Sequence, residues 1–127
     1  MRIGDSDRWI DFTKDPLGPS AYRVRVAAEG IAAEAIADFD QPIRGRGDIA
    51  GYLTDLAKNW KGWEGPKRFE TTESELSSSA THDGRGRVEF QIDMRRHPWS
   101  VRNVISVDAG DLERLAADTR SLFKREA

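Results

Sequence analysis

The sequence predicts an α+β fold: a single antiparallel sheet of about seven strands, ordered three strands, helix, four strands, helix, with both helices packed on one face. Three observations carry that expectation. Residues Asp48–Gly65 (DIAGYLTDLAKNWKGWEG) hold an amphipathic helix with its own start and stop signals. Residues Arg87–Arg95 (RVEFQIDMR) alternate strictly, with Val88, Phe90, Ile92 and Met94 inward and Glu89, Gln91 and Asp93 outward, as in a sheet with one wet face. The links between strand-like runs are short and rich in turn residues, which suits antiparallel neighbours.

Residues 1–7 are polar and read as loose. Arg8–Thr13 is the first strand, with Ile10 and Phe12 on one face and Trp9 and Asp11 on the other. Asp15–Pro19 holds two prolines and a glycine and breaks the pattern. Ala21–Ala28 is the second strand: Tyr22, Val24 and Val26 face inward, Arg23 and Arg25 outward. Glu29-Gly30 supplies a two-residue hairpin connection. The run at residues 31–39 is ambiguous. Its alanines favour helix, but the tight link to an evident strand favours a third strand with Ile31, Ala33, Ala35, Ala37 and Phe39 inward.

In the helix, Ile49, Tyr52, Leu53, Leu56, Ala57 and Trp60 fall on one face. Asp48 suits the N-cap, and Lys58 and Lys61 complement the C-terminal end of the dipole. Gly62 can end the helix in a left-handed conformation, with Trp63 folding back towards Ala57. Pro66 prevents a restart. Lys67–Thr72, Glu75–His82, Arg87–Arg95 and Trp99–Val107 then read as four strands. Asp83-Gly84-Arg85-Gly86 turns between the middle two, and His97-Pro98 turns into the last, where Asn103 is the polar exception on an apolar face. Leu112, Leu115, Ala116, Thr119, Leu122 and Phe123 form the stripe of a closing helix, about Asp111–Arg125, with Asp108 and Asp111 at its N-terminus. The two halves thus share a strands-then-helix layout.

The chain has 127 residues, the size of one domain spanning 1–127. Its 20 basic and 22 acidic residues are intermixed and leave a net charge of −2, so there is no basic arm or stripe for nucleic acid. Zero cysteines exclude disulfides and thiolate metal sites. No run approaches membrane-spanning length and the first residues lack the apolar core of a signal peptide, so the expected compartment is the cytoplasm.

No motif in the chain demands chemistry. Gly45-Arg46-Gly47-Asp48-Ile49-Ala50 has a Gly-x-Gly-x-x-Ala skeleton, but Asp48 would set a carboxylate against a pyrophosphate and the following hairpins are not a parallel βαβ unit. The Arg46-Gly47-Asp48 tripeptide is a coincidence of composition. His82-Asp83 could begin an acid–base pair or a metal site, yet no third group is spaced to join it, and a strand ending in a turn explains both. Glu70, Glu73 and Glu75 read as solvated charge around a hairpin. No catalytic residue, cofactor site or metal site is expected.

Four tryptophans in a chain this size are generous. Trp60 continues the helix stripe and reads as core, while Trp9 and Trp99 read as sheet-edge residues. Trp63 lies beyond the glycine stop, and exposed aromatics flanked by charge are what protein interfaces use as anchors. The candidate partner-binding residues are therefore Trp63 and Glu64, then Arg23 and Arg25 on the wet face of their strand. The rival reading of Trp63 is structural, as the residue that closes the helix.

The helix Ile49–Trp60 running into Trp60-Lys-Gly-Trp63-Glu-Gly, the Asp83–Val88 hairpin and the Asp108–Glu113 segment together resemble a small bacterial family of unknown function. In size and order of elements that family is similar to the WapI-type immunity proteins. The resemblance covers nearly the whole chain, but it rests on helix ends and turns and transfers no functional residue. It implies a non-enzymatic binding protein that neutralises a polymorphic protein toxin. A small-molecule-binding or enzymatic domain using the open sheet face is the alternative, as is a structural homo-oligomer. A homodimer is compatible with each; nucleic acid and membrane are not expected partners.

Overall fold

The computed structural model describes residues 1–16, 21–39, 48–71 and 74–123. It is an α+β fold with two antiparallel sheets of four strands each. The first sheet is a meander of β1 (Arg2–Gly4), β2 (Trp9–Lys14), β3 (Ala21–Ala28) and β4 (Ile31–Asp38). Helix α1 (Ile49–Lys58) follows. The second meander is β5 (Lys67–Glu70), β6 (Leu76–His82), β7 (Arg87–Arg96) and β8 (Trp99–Asp108). A single 3-10 turn then leads into α2 (Leu112–Leu122).

The single seven-stranded sheet is therefore corrected to two sheets of four, and the helices do not share one face of one sheet. Alternation tells each strand which side faces inward, but it does not say which strand edges pair. Here both inner faces are apolar and converge, together with α1, on a shared interior. A residual gap of about 20 Å³ there is bounded by Ile10 and Phe12 of the first sheet, Leu53 of α1, and Phe69 and Phe90 of the second. Helices α1 and α2 pack along each other, and Arg120 Nη1 donates to Thr54 Oγ1 across their surface at 3.0 Å. One contiguous buried cluster takes residues from both halves.

Asn103, the polar exception on β8, joins the sheets. It is buried, and its Nδ2 donates to the carbonyls of Ala27 at 3.0 Å and Trp9 at 3.4 Å. A buried amide without partners would be costly, and these two carbonyls lie where β2 and β3 meet the second sheet.

The strand at 31–39 is confirmed as β4, paired along its length with β3 through the Glu29-Gly30 turn. Its inward row holds only partly: Ala35, Ala37 and Phe39 are buried, whereas Ile31 overhangs the core and is exposed. Phe39 instead anchors an aromatic cluster with Phe12, Tyr22 and Phe123, and its ring stacks with Phe69 of the second sheet.

The loose first seven residues are corrected to a short strand. Ile3 of β1 is buried opposite Ile10, and Gly4 needs its positive φ of 120° and its missing side chain, because a Cβ there would meet the Arg8 carbonyl. On β7 the inward set Val88, Phe90, Ile92 and Met94 is buried as expected, and Glu89 is exposed. Gln91 and Asp93 are half-buried rather than exposed; Asp93 is covered by Arg102 of β8, whose Nε lies 2.8 Å away. At α2 neither Asp108 nor Asp111 makes a side-chain cap. The Gly45–Gly47 motif ahead of α1 lies outside the described residues.

Candidate interaction surface

Asp48 caps α1 as expected, its Oδ1 accepting the Gly51 N–H at 2.9 Å. The other end is shorter than the apolar stripe suggested. The helix stops at Lys58, with Asn59 as C-cap and Asn59 Nδ2 donating back to the Asp55 carbonyl at 2.9 Å. Gly62 follows outside the helix at φ 145°, its N–H donating to Asn59 O at 2.9 Å. The helical phase is lost before Trp60, and this corrects its assignment to the core. The Trp60 side chain is 50% exposed. Lys61 Nζ lies 5.8 Å from its ring centroid, within reach of a cation–π attraction.

The loop that carries Trp60 is fastened to the second sheet by His82, the last residue of β6. Its Nε2 lies 2.8 Å from the Trp60 carbonyl, and its Nδ1 accepts the Gly84 N–H at 2.8 Å. With Nδ1 accepting a backbone N–H, Nε2 is the ring nitrogen that donates to the Trp60 carbonyl. Trp63 supplies a second fastening. It is half-buried, its Nε1 donates to the Ala80 carbonyl at 3.1 Å, and its ring meets His82 edge-on at 5.2 Å. These contacts with β6 fix its position. Lys67 adds a cation 6.0 Å from the Trp63 ring and an ion pair of 2.7 Å to Asp55.

Asp83 belongs to the same corner. Its Oδ1 accepts the N–H groups of Arg85 and Arg87 at 2.6 and 3.1 Å, and these bonds hold its carboxyl below the usual carboxylate range. His82 and Asp83 thus both serve the turn and the loop. Among the described residues no three His, Asp or Glu side chains come together to hold a metal ion. Tyr52 is a half-buried titratable group: its hydroxyl donates to the Lys67 carbonyl at 3.0 Å and lies 3.3 Å from Ser78 Oγ, and burial of the hydroxyl pushes its pKa up to about 12.

The four candidate partner-binding residues fall in two separate places. Trp63 and the exposed Glu64 flank Trp60. Arg23 and Arg25 lie on the outer face of the first sheet, where both are drawn into ion pairs. Arg25 Nε is 2.7 Å from Glu34 Oε1, in register across β3 and β4, and its hydrogen bond holds the Glu34 carboxyl low. Arg23 reaches Asp15 at 3.2 Å and Glu34 at 3.6 Å. No hydrogen bond or ion pair among the described residues joins these arginines to the Trp63 loop. Within that hexapeptide the exposed indole is Trp60, while Trp63 is half-buried. The missed signal was Asn59, a residue that often ends a helix, placed one position before Trp60.

A family model matches residues 3–126. The chain belongs to the family of unknown function DUF6228. The match takes in both sheets, both helices, the Trp60–Glu64 loop and the β3 arginines, so this surface is part of the DUF6228 unit and not an appendage to it. No curated protein matches the chain.

Proposed function

We propose that this DUF6228 chain is a non-enzymatic protein-binding domain whose anchor is Trp60. The observation that supports it is the contrast within one loop: Trp60 is half exposed, while His82 holds its carbonyl and Trp63 fastens the loop three residues later. A large aromatic side chain already held in place loses little freedom on binding, which is what makes such residues effective anchors. Lys61 and Glu64 supply charge at its margin, with Trp63 contributing its exposed part. Arg23 and Arg25 form a separate, self-paired patch that would set orientation more than affinity.

The partner class we favour is a protein toxin, which makes the chain an immunity protein acting in the cytoplasm. The support is the resemblance in size and element order to WapI-type immunity proteins; the DUF6228 match itself names no function. Co-expression tests the reading. The chain should rescue cells producing the toxin domain encoded beside its own gene, and Trp60→Ala should fail to rescue at equal protein level. Rescue by Trp60→Ala as good as that by the parent chain would remove Trp60 from the account.

A further inference from the structure

A cleft of about 500 Å³ opens between the sheets at the far end of β6 and β7 from His82. That volume lies within the range of about 300–1,000 Å³ found for small-molecule sites. The first-sheet wall carries Asp38, and the second-sheet wall carries Glu75 beside Arg95, Arg96 and His97. Ala21 and Ala37 neighbour Asp38 on the first-sheet wall, where their small side chains take up little space. Arg96 continues the inward row of Val88, Phe90, Ile92 and Met94 one step past the end of the core, which places its Cα–Cβ bond on the cleft side of β7.

Glu75 fixes the two walls relative to one another. Its Oε1 accepts the Asp38 N–H at 3.1 Å, and its backbone carbonyl accepts the Arg95 N–H at 2.8 Å. Elsewhere on the surface opposite charges close on each other, as in Arg25–Glu34, Lys67–Asp55 and Arg102–Asp93, all at 2.7–2.8 Å. Here they do not: among the described residues Arg95, Arg96, Asp38 and Glu75 make no ion pair within the cleft. Both signs of charge therefore line the cleft without pairing.

We propose that this cleft binds a zwitterionic small molecule with a carboxylate at one end and an ammonium group at the other, as in a free amino acid or short peptide. A purely anionic ligand would face Asp38 and Glu75, and a purely cationic one would face the arginines. A ligand with both signs satisfies each wall. The guanidinium of Arg96 can take the carboxylate through two parallel N–H bonds, and Asp38 takes the ammonium. This site is independent of the Trp60 surface, so either proposal can fail alone.

The test is NMR titration of the intact chain with alanine and with triglycine at millimolar concentration, alongside N-acetylated and C-amidated triglycine. Saturable shifts at Asp38, Glu75 and Arg95–His97 are expected for a probe with both termini free. Capping either terminus should weaken binding at least tenfold. Arg96→Gln should remove the preference for a free carboxylate and Asp38→Asn the preference for a free ammonium, with the remaining spectrum unchanged. Equal binding of N-acetylated triglycine would show a simple anion site and overturn the proposal. So would the absence of shifts with all four probes.

Discussion

The two ends of the β6–β7 pair use polar side chains in opposite ways. At the His82 end, the imidazole spends both nitrogens on backbone groups, Asp83 takes two N–H groups, and Trp63 gives its one donor to Ala80. At the other end, Asp38, Glu75, Arg95 and Arg96 line one cleft and, among the described residues, form no ion pair. The first end is largely satisfied internally, and it presents the exposed Trp60 side chain from a fastened backbone. At the second end Glu75 holds the Asp38 N–H, but the charges around the cleft stay unpaired with one another. Charge and aromatic content do not distinguish these ends; how far each group is already partnered does. Polar groups left without partners have the most to gain from a ligand, whereas a satisfied corner is suited to act as a rigid mount.

The largest effect should come from Phe90, which is buried between the two ends. Phe90→Ala is expected to cost about 3–5 kcal/mol, a large share of the ~6–19 kcal/mol available to a chain of this length. Denaturant unfolding should show both ends lost in one transition. A midpoint shift confined to one end would separate regions that share one core here.

Next comes Trp63→Ala, which should sharpen the comparison by loosening one end alone. It removes a hydrogen bond and roughly half of a buried indole, and about 2 kcal/mol of stability should go with it. Amide shifts should move in the Asn59–Gly65 loop and the His82–Gly86 turn and stay in place around Arg95–His97. A thermal midpoint equal to that of the parent chain would mean that the fastening is not Trp63.

Tyr52 gives a pH dependence of known sign. An unfolded tyrosine ionises near pH 10, whereas burial holds this one protonated to about pH 12. The folded chain therefore binds the proton more tightly. The associated stability is fully present below about pH 10 and is lost as pH rises through about 12. Tyr52→Phe should flatten that alkaline decline, and a decline unchanged in slope would assign it to other groups.

Much of the fold was legible because alternation and turn chemistry are local. β3 falls on the expected residues, Ala21–Ala28, and the Asp48 cap is where its carboxylate suggested. β4 was legible only through its neighbour: its alanines carry a helical preference, and pairing with β3 overrides it. What escaped was non-local. Strand edges carry no periodic mark, so the division into two sheets could not be read, and a three-residue β1 is too short to show alternation. The exposed surface escaped by two residues of helix length, since the stripe reaches Trp60 in sequence while the helix stops at Lys58. The cleft escaped altogether. Its walls come from β4, the β5–β6 turn and the β7–β8 turn, whose charges are far apart in the chain and read singly as solvent-facing residues.

The smallest expected effect on stability and the largest on partner binding coincide at Trp60, and the central claim rests there. Should the neighbouring gene encode a toxin domain, calorimetric titration of that domain into the parent chain and into Trp60→Ala tests it most directly. Truncating the anchor should weaken binding by at least ~2 kcal/mol, about 30-fold in Kd, while stability stays within about 0.5 kcal/mol, as for other exposed positions. Unchanged affinity in Trp60→Ala, with its fold intact, would contradict the account.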